Sequence, residues 1–534
     1  MKKKVLSIVL AAVVALSMAA CGSGASSTAT TGSSGSATAE GAEYKDTLVV
    51  GTYGDQDTLD PQVNVTNDKV LRLLYDGLLT HDQDGNIIGA LAESWEHSDD
   101  YLTWTFHLKE GVKFANGKEL TSADVVATFE RLINPDHPLR YSEKVEFIES
   151  VEAIDDYTVQ INCNQQYAIV EETLALQCCF IMDKDYIDQY GYDLGIDPAT
   201  INGTGPYKIT SWDADEQMVF EANENWWQGT PGCTTIIYKV IPEASSRAMA
   251  IETGEIDILD RPSVEDYERL STTEGLVGIS ELGYGLQGFQ FNCSELSACN
   301  DVRVRQAISY ALDRETIVNA LYGPIGEVAT KGPMTPNIFA YEDMGVVPYD
   351  VEKAKSLLAE AGYADGLDIQ LMTTASYNKG VELAEVCKQQ LAEVGVNVTI
   401  ETVDSATFNA ALNGITPEEM PWDMFIMGFG GSSLDADASL RRVWHTSEDG
   451  LNTSNYGWYS NARVDELLDA AVTEMDQEKR AEMYAEIQQI IYLDDPVAVF
   501  MNLRSSLYII TDKVENFSVN PLQVVEYEKI KVKA

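Results

Sequence analysis

An α/β fold is what this sequence predicts, on three observations. In the second half of the chain, amphipathic helical stripes alternate with short β-branched runs. Residues able to cap helices, and glycines able to end them, stand at the boundaries of those stripes. Beyond residue 41 there is no low-complexity segment and no short-period repeat, so the 534 residues offer two or more domains with sizeable cores.

Taken in order, the chain opens on Lys2, Lys3 and Lys4, the apolar run Val5 to Leu16, and small residues up to Cys21. This is a targeting segment, too short to span a bilayer, which takes about 20 apolar residues. "LSMAAC" resembles a bacterial lipobox with Met18 in place of the usual leucine, which makes residues 1–20 a removed signal peptide and Cys21 the lipidated residue. Residues 21–43 are then a lipid-anchored flexible tether. Gly, Ser, Ala and Thr dominate it and cannot bury enough surface to fold, so about 20 residues give a reach near ~25 Å.

"TLVVGTYG" from Thr47 reads as a buried strand, and "LTWTFHLKEGVKFANG" from Leu102 as a hairpin. Thr121-x-x-Asp124 is a capping-box pattern ahead of Val125, Val126 and Phe129. Asp350 can cap a helix carrying Val351, Ala354, Leu357, Leu358 and Ala361 on one face, with Gly362 at its end. The strand "DIQLMTT", the helical stripe Leu383 to Val394 closed by Gly395, and the strand "NVTIETV" follow. Residues 463–495 read as two helices, and Pro496 opens the strand "PVAVFM".

Composition narrows the function. Asp plus Glu number 85 against 36 Lys plus Arg, a net charge of −49, which excludes nucleic acid as a partner. The G-x-G-x-x-G at Gly283 to Gly288 leads into the strand "FQFN" rather than a helix, so it is a glycine-rich strand entry and not a dinucleotide site. "DADASL" at Asp435 imitates a calcium loop, but Leu440 and Thr446 stand where glycine and glutamate are needed. G-x-S-x-G, H-E-x-x-H and Walker sequences are all absent, and the five histidines are scattered. The motifs therefore advertise binding and not catalysis, with no catalytic residue, cofactor or metal assigned. Of the other cysteines, Cys293 and Cys299 are close enough to bridge, Cys178 and Cys179 sit in an apolar run, and without Cys-x-x-Cys structural zinc is not expected.

"GTYGDQDTLDP", "LAESWEHSDDYLTWTFHLKEGVKFANGKELTSADVVATFERL", "GTGPYKI", "ANENWWQG", "DVRVRQAISYALDRETI" and "YDVEKAKSLLAEAG" occur in one order. Together they resemble the extracytoplasmic solute-binding proteins of ABC transporters, family 5, the peptide/nickel group, from about Thr47 to the C-terminus. The resemblance implies a bilobal periplasmic-binding-protein-like fold with three domains. Domain I would combine 44–80, 200–288 and 506–534, domain II would be 81–199, and domain III 289–505. A cleft between domains I and III would close, about a hinge near Tyr284 and residue 505, on an oligopeptide, dipeptide or related small solute. The protein would be a monomer, lipid-anchored outside the cytoplasmic membrane, serving a permease with separate ATPase subunits. A nickel-type metal chelate, with His445 near the candidate loop, and a peptide-sensing surface receptor are the alternatives; a surface hydrolase has no motif behind it.

The loop "FGGSSLDADASLRRVW", Phe429 to Trp444, is the candidate site. In peptide-binding relatives the corresponding passage often carries a Trp and, three residues on, an Asp that pairs with the peptide's α-amino group. Phe429 and Ser432 occupy those positions, so the charge is absent unless Asp435 or Asp437 supplies it. Phe429 is expected as an aromatic wall, Gly430 and Gly431 as exposed backbone, and Ser432 and Ser433 as hydrogen-bonding groups. Tyr53 and Tyr284 are the domain I candidates, and Trp422 and Trp444 candidate lining residues. Trp226 and Trp227 read as structural, and Arg303 and Arg305 as ion-pairing residues.

Overall fold

The computed structural model describes residues 43–64, 68–412, 414–447, 450–451 and 455–534. The expected signal peptide, Cys21 and nearly all of the tether lie outside the described residues. Among the described residues no helix is long and apolar enough to cross a membrane.

Two long strands organise the molecule, Leu276–Phe291 and Ala498–Thr511, paired antiparallel. They are the central members of a ten-stranded sheet. On one side follow Met424–Phe429, Leu367–Thr374 and Val396–Val403; on the other, Ile258–Asp260, Thr47–Thr52, Thr235–Val240, Gln217–Ala222 and Tyr207–Asp213. Ala498 to Leu503 are buried without a break, the pattern of a strand covered on both faces. A second sheet of four strands, Ala92–His97, Thr103–Leu108, Thr158–Cys163 and Ile148–Asp155, stands apart. The mixed α/β architecture is the one the alternation predicts.

Local signals account for several helices. Helix Ser122–Leu132 starts with the Thr121 N–H donating to Asp124 Oδ2 at 3.0 Å. Helix Val351–Glu360 is capped by Asp350, which accepts from the Lys353 N–H at 2.9 Å, and Gly362 follows it at φ +96°. Two expectations are corrected. The hairpin expected within 102–117 is instead a strand, Thr103–Leu108, paired with Ala92–His97 and Thr158–Cys163. The residues after it fold into a tight turn, with the Phe114 N–H donating to Lys118 O at 2.9 Å. Cys293 and Cys299 are free thiols. Ser297 bonds Asp423 at 2.7 Å and caps the Cys299 N–H at 3.1 Å, and Cys299 is buried in the core.

Four buried clusters hold the elements together. One packs Leu48, Tyr207, Phe220 and Tyr238 under one half of the large sheet. Another fills the four-stranded sheet with Trp104, Phe106, Phe114 and Phe129, and takes in Cys178 and Cys179. Ile308, Ile369, Leu383 and Phe425 form a third, under the other half. Phe429, Trp444, Tyr484 and Phe500 belong to the fourth. Arg303 pairs with Asp301 at 2.6 Å and Arg305 pairs with Asp495, and Trp227 donates to Asp76 at 3.1 Å.

Candidate ligand-binding site

The long strands do not pair evenly. Leu282 faces Ser505 and Leu286 faces Leu503, so Gly283, Tyr284 and Gly285 stand opposite Arg504 alone. Such a bulge bends the strand and re-aims side chains, and the two glycines of Gly-Tyr-Gly tolerate it. On its inner side, Gly430 has φ +151°, and a Cβ there would lie 2.8 Å from Tyr284 O. Only glycine lets the loop after Met424–Phe429 close against the bulge.

Two cavities meet at this point. The larger, about 520 Å³, takes Arg247 and Arg261 from one half of the sheet, Asn378 and Gly428 from the other, and Tyr284 and Arg504 from the bulge. The smaller, about 240 Å³, adds Lys69, Arg72, Lys144, Tyr141, Gln177 and Ser432. Arg261, Tyr284 and Gln523 line both. At the edge, Glu265 from one half forms an ion pair with Lys379 from the other.

The walls are held by buried polar groups. Lys69 pairs with Asp260 at 3.1 Å and donates to Tyr508 Oη at 2.8 Å. Arg247 donates to the carbonyls of Ile241, Pro242 and Arg261, at 2.7, 2.6 and 3.1 Å. It thereby fixes the backbone of Arg261, a non-glycine residue in the left-handed region at φ +56°. The Arg261 guanidinium lies over the Tyr53 ring, 4.9 Å from its centre, and donates to Tyr53 Oη at 3.2 Å. Behind Arg504, Glu327 accepts from the Ser505 N–H at 2.9 Å and from Asn502 at 2.5 Å. Burial pushes the Glu327 carboxyl up to about 7, against the pull of the Ser505 N–H, the Arg504 charge and Asn502.

Not every expected site residue arrives here. Tyr284, Ser432, Gly430 and Phe429 reach the cavity walls, whereas Tyr53 lines neither cavity and touches Arg261, which lines both. The Phe429 ring, however, is no open aromatic wall. The residue is 5% exposed, with its ring 4.8 Å from Phe500 and 5.8 Å from Trp444, itself fully buried. Trp422 is buried and donates to Glu401 at 2.9 Å, away from both cavities. Gly431 packs against helix Ala436–Trp444, where a Cβ would come within 2.6 Å of Ala438. Ser433 is buried and accepts from the Asp435 N–H at 3.3 Å. Asp435 is buried in a two-pronged pair with Arg480, at 2.6 and 2.7 Å. Asp437 binds Arg441 at 3.0 Å and accepts from Tyr484 at 3.1 Å. Both carboxylates that could have met an amine are thus held by arginines, and neither lines either of these two cavities. His445 faces Asp469 at 3.3 Å, and His81, on the smaller cavity, faces Glu172 at 3.1 Å. Sequence reasoning missed the basic residues, which come from positions 69 to 504 and share no motif. Their scarcity in an acidic chain was the only available signal.

Comparison with known proteins fixes the family. The family model described as bacterial extracellular solute-binding proteins, family 5, middle, matches residues 86–450. Heme-binding protein A of Haemophilus influenzae is 32% identical over 432 residues, which are 76% of this chain and 77% of that protein. The glutathione-binding protein GsiB of Salmonella typhimurium is 29% identical over 452 residues, 84% of this chain and 87% of its own. Among solved structures, the ABC transporter-associated periplasmic binding protein DppA of Helicobacter pylori, in complex with the peptide STSA, superposes with a TM-score of 0.77 at 26% identity, over 92% of this chain and 99% of that one. The chain belongs to family 5 of the bacterial extracellular solute-binding proteins, whose members bind small ligands or peptides for ABC transporters and are not enzymes.

Proposed function

We propose that this chain is the substrate-binding component of an ABC importer, anchored through lipid on Cys21 to the outer face of the cytoplasmic membrane. It captures an oligopeptide, dipeptide or related small solute by closing its cleft, and delivers it to the permease as a monomer. The observation that carries this reading is the placement of both cavities at the bulge joining the two halves of the large sheet. A ligand that touches both halves favours the geometry in which they approach, in proportion to its extra contacts there. The bulge at Tyr284 and Arg504 is the hinge, and the domain allocation read from the sequence puts domains I and III on either side of it. Among relatives, the names heme-binding and glutathione-binding and the peptide in DppA support a small solute of this class.

Native mass spectrometry of the full chain purified from its cells tests the capture, the expected result being a small molecule that leaves only on unfolding. Fractionation tests the anchor: Cys21→Ser should move the protein from membranes to the soluble fraction, and continued membrane retention would refute lipidation there.

A further inference from the structure

Acidic residues outnumber basic ones in this chain by more than two to one, 85 against 36. The cavity walls reverse that ratio. Lys69, Arg72, Lys144, Arg247, Arg261 and Arg504 line them, and among the described residues no Asp or Glu does. An even draw from this composition would place mostly carboxylates there, so the cations are gathered.

Their partners show which of them are spoken for. Lys69 is balanced by Asp260 behind the wall, and the Arg72 guanidinium lies over Phe180, 5.2 Å from the ring centre. Arg261, Arg504 and Lys144 have no carboxylate within 4.0 Å among the described residues, and Arg261 and Arg504 are exposed to the cavity. Arg261 lies on Tyr53, and the Arg504 guanidinium lies 5.9 Å from the Tyr377 ring centre. Aromatic faces orient a guanidinium without cancelling its charge. Arg247 is 5% exposed, yet its Nε has no hydrogen-bond partner among the described residues.

When a cleft of this kind excludes water, a cation without a counter-ion is costly, and an anion brought by the ligand removes the cost. Guanidinium forks match carboxylates in pairs of parallel hydrogen bonds. Arg504 and Arg261 serve the larger cavity and Lys144 the smaller, with Arg261 common to both. The arrangement therefore suits negative groups at two places on one molecule. Among the described residues, a free α-amino group finds no carboxylate on either wall.

We propose, resting on the receptor reading above, that the solute is a small polycarboxylate, an acidic compound or short acidic peptide, with one carboxylate at Arg261 and Arg504 and another toward Lys144.

The test uses the full chain and the low-molecular-weight part of a rich growth medium, separated by ion exchange into anionic, neutral and cationic fractions. Thermal unfolding is followed with each. Stabilisation by the anionic fraction alone, weakening as salt is added, is the expected result. Stabilisation by the neutral or cationic fraction alone overturns the acidic-ligand assignment and leaves the receptor reading standing. Stabilisation by none of them counts against the receptor reading itself, and the assignment falls with it. Phosphatase treatment of the anionic fraction should leave the effect intact; its loss would replace carboxylate by phosphate and overturn the class named here. With the anionic fraction, Arg504→Gln should need at least tenfold more material for the same shift, with Arg504→Lys recovering part of the difference and both unliganded proteins melting as the parent does. Equal response in Arg504→Gln would remove Arg504 from the site.

Discussion

The loop Ser432–Trp444 and the bulge at Gly283–Gly285 are neighbours, and they handle charge in opposite ways. In the loop every carboxylate is answered: Asp435 by Arg480, Asp437 by Arg441 and Tyr484. Around the bulge, Arg261 and Arg504 are held by tyrosine rings and face the cavity. A buried charge with its partner in place is architecture, since the pair costs about as much to desolvate as it returns. A charge held on an aromatic face, with no carboxylate in contact, keeps much of its attraction for a ligand. The carboxylates of the loop that look functional in the sequence are paired with arginines in the structure, while Ser432 lines the smaller cavity.

Breaking the loop should therefore damage folding before binding. Asp435→Ala leaves Arg480 buried without its partner and should cost about 3–5 kcal/mol of stability, read from denaturant unfolding. A loss below about 1 kcal/mol would mean that the pair is not the lock described. Phe429→Ala opens a hole between Trp444 and Phe500 and should cost about 3 kcal/mol, with ligand affinity of the folded protein little changed. A large affinity loss at parental stability would return Phe429 to the ligand contacts.

Changes around the bulge should do the reverse. Glu327 sits behind Arg504 with its carboxyl near 7, so it gains charge as pH rises through neutrality and weakens the attraction for an anion. Affinity for the anionic fraction should fall severalfold from pH 6 to pH 8 in the parent, and the slope should flatten in Glu327→Gln. An unchanged slope would detach Glu327 from the site. Its stability effect has the same sign. An acid whose folded value lies above its unfolded value, about 4.3, contributes stability present below about pH 4 and lost as pH rises through about 7. Lys379→Ala, which removes an ion pair at the cleft edge, should change stability by about 0–1 kcal/mol and affinity only slightly, as calorimetry would show. A larger effect would make that pair part of closure.

How far the sequence reaches follows the same division. Helix starts are local, so Asp350 and the Thr121–Asp124 pair were readable from three or four residues. The family blocks placed the chain, and the loop beside the cleft was found from its glycines. What stayed hidden is made by the sheet. Nothing near Phe429 in sequence reveals that Phe500, from the neighbouring region of the fold, covers its ring, or that Arg480 lies on Asp435. Arg261 and Arg504 line one cavity only because strands remote in sequence are adjacent in the sheet, while Lys144 reaches the smaller cavity from the short helical turn Ser142–Val145. The Gly-Tyr-Gly passage was legible as unusual strand, but its bulge depends on the register with Ser505 and Leu503.

Small-angle scattering of the full chain with each ion-exchange fraction tests most directly the claim that a cation-lined cleft closes about the bulge on an acidic solute. The radius of gyration should fall with the anionic fraction and stay constant with the neutral and cationic ones. Profiles that coincide with and without the anionic fraction would contradict the account.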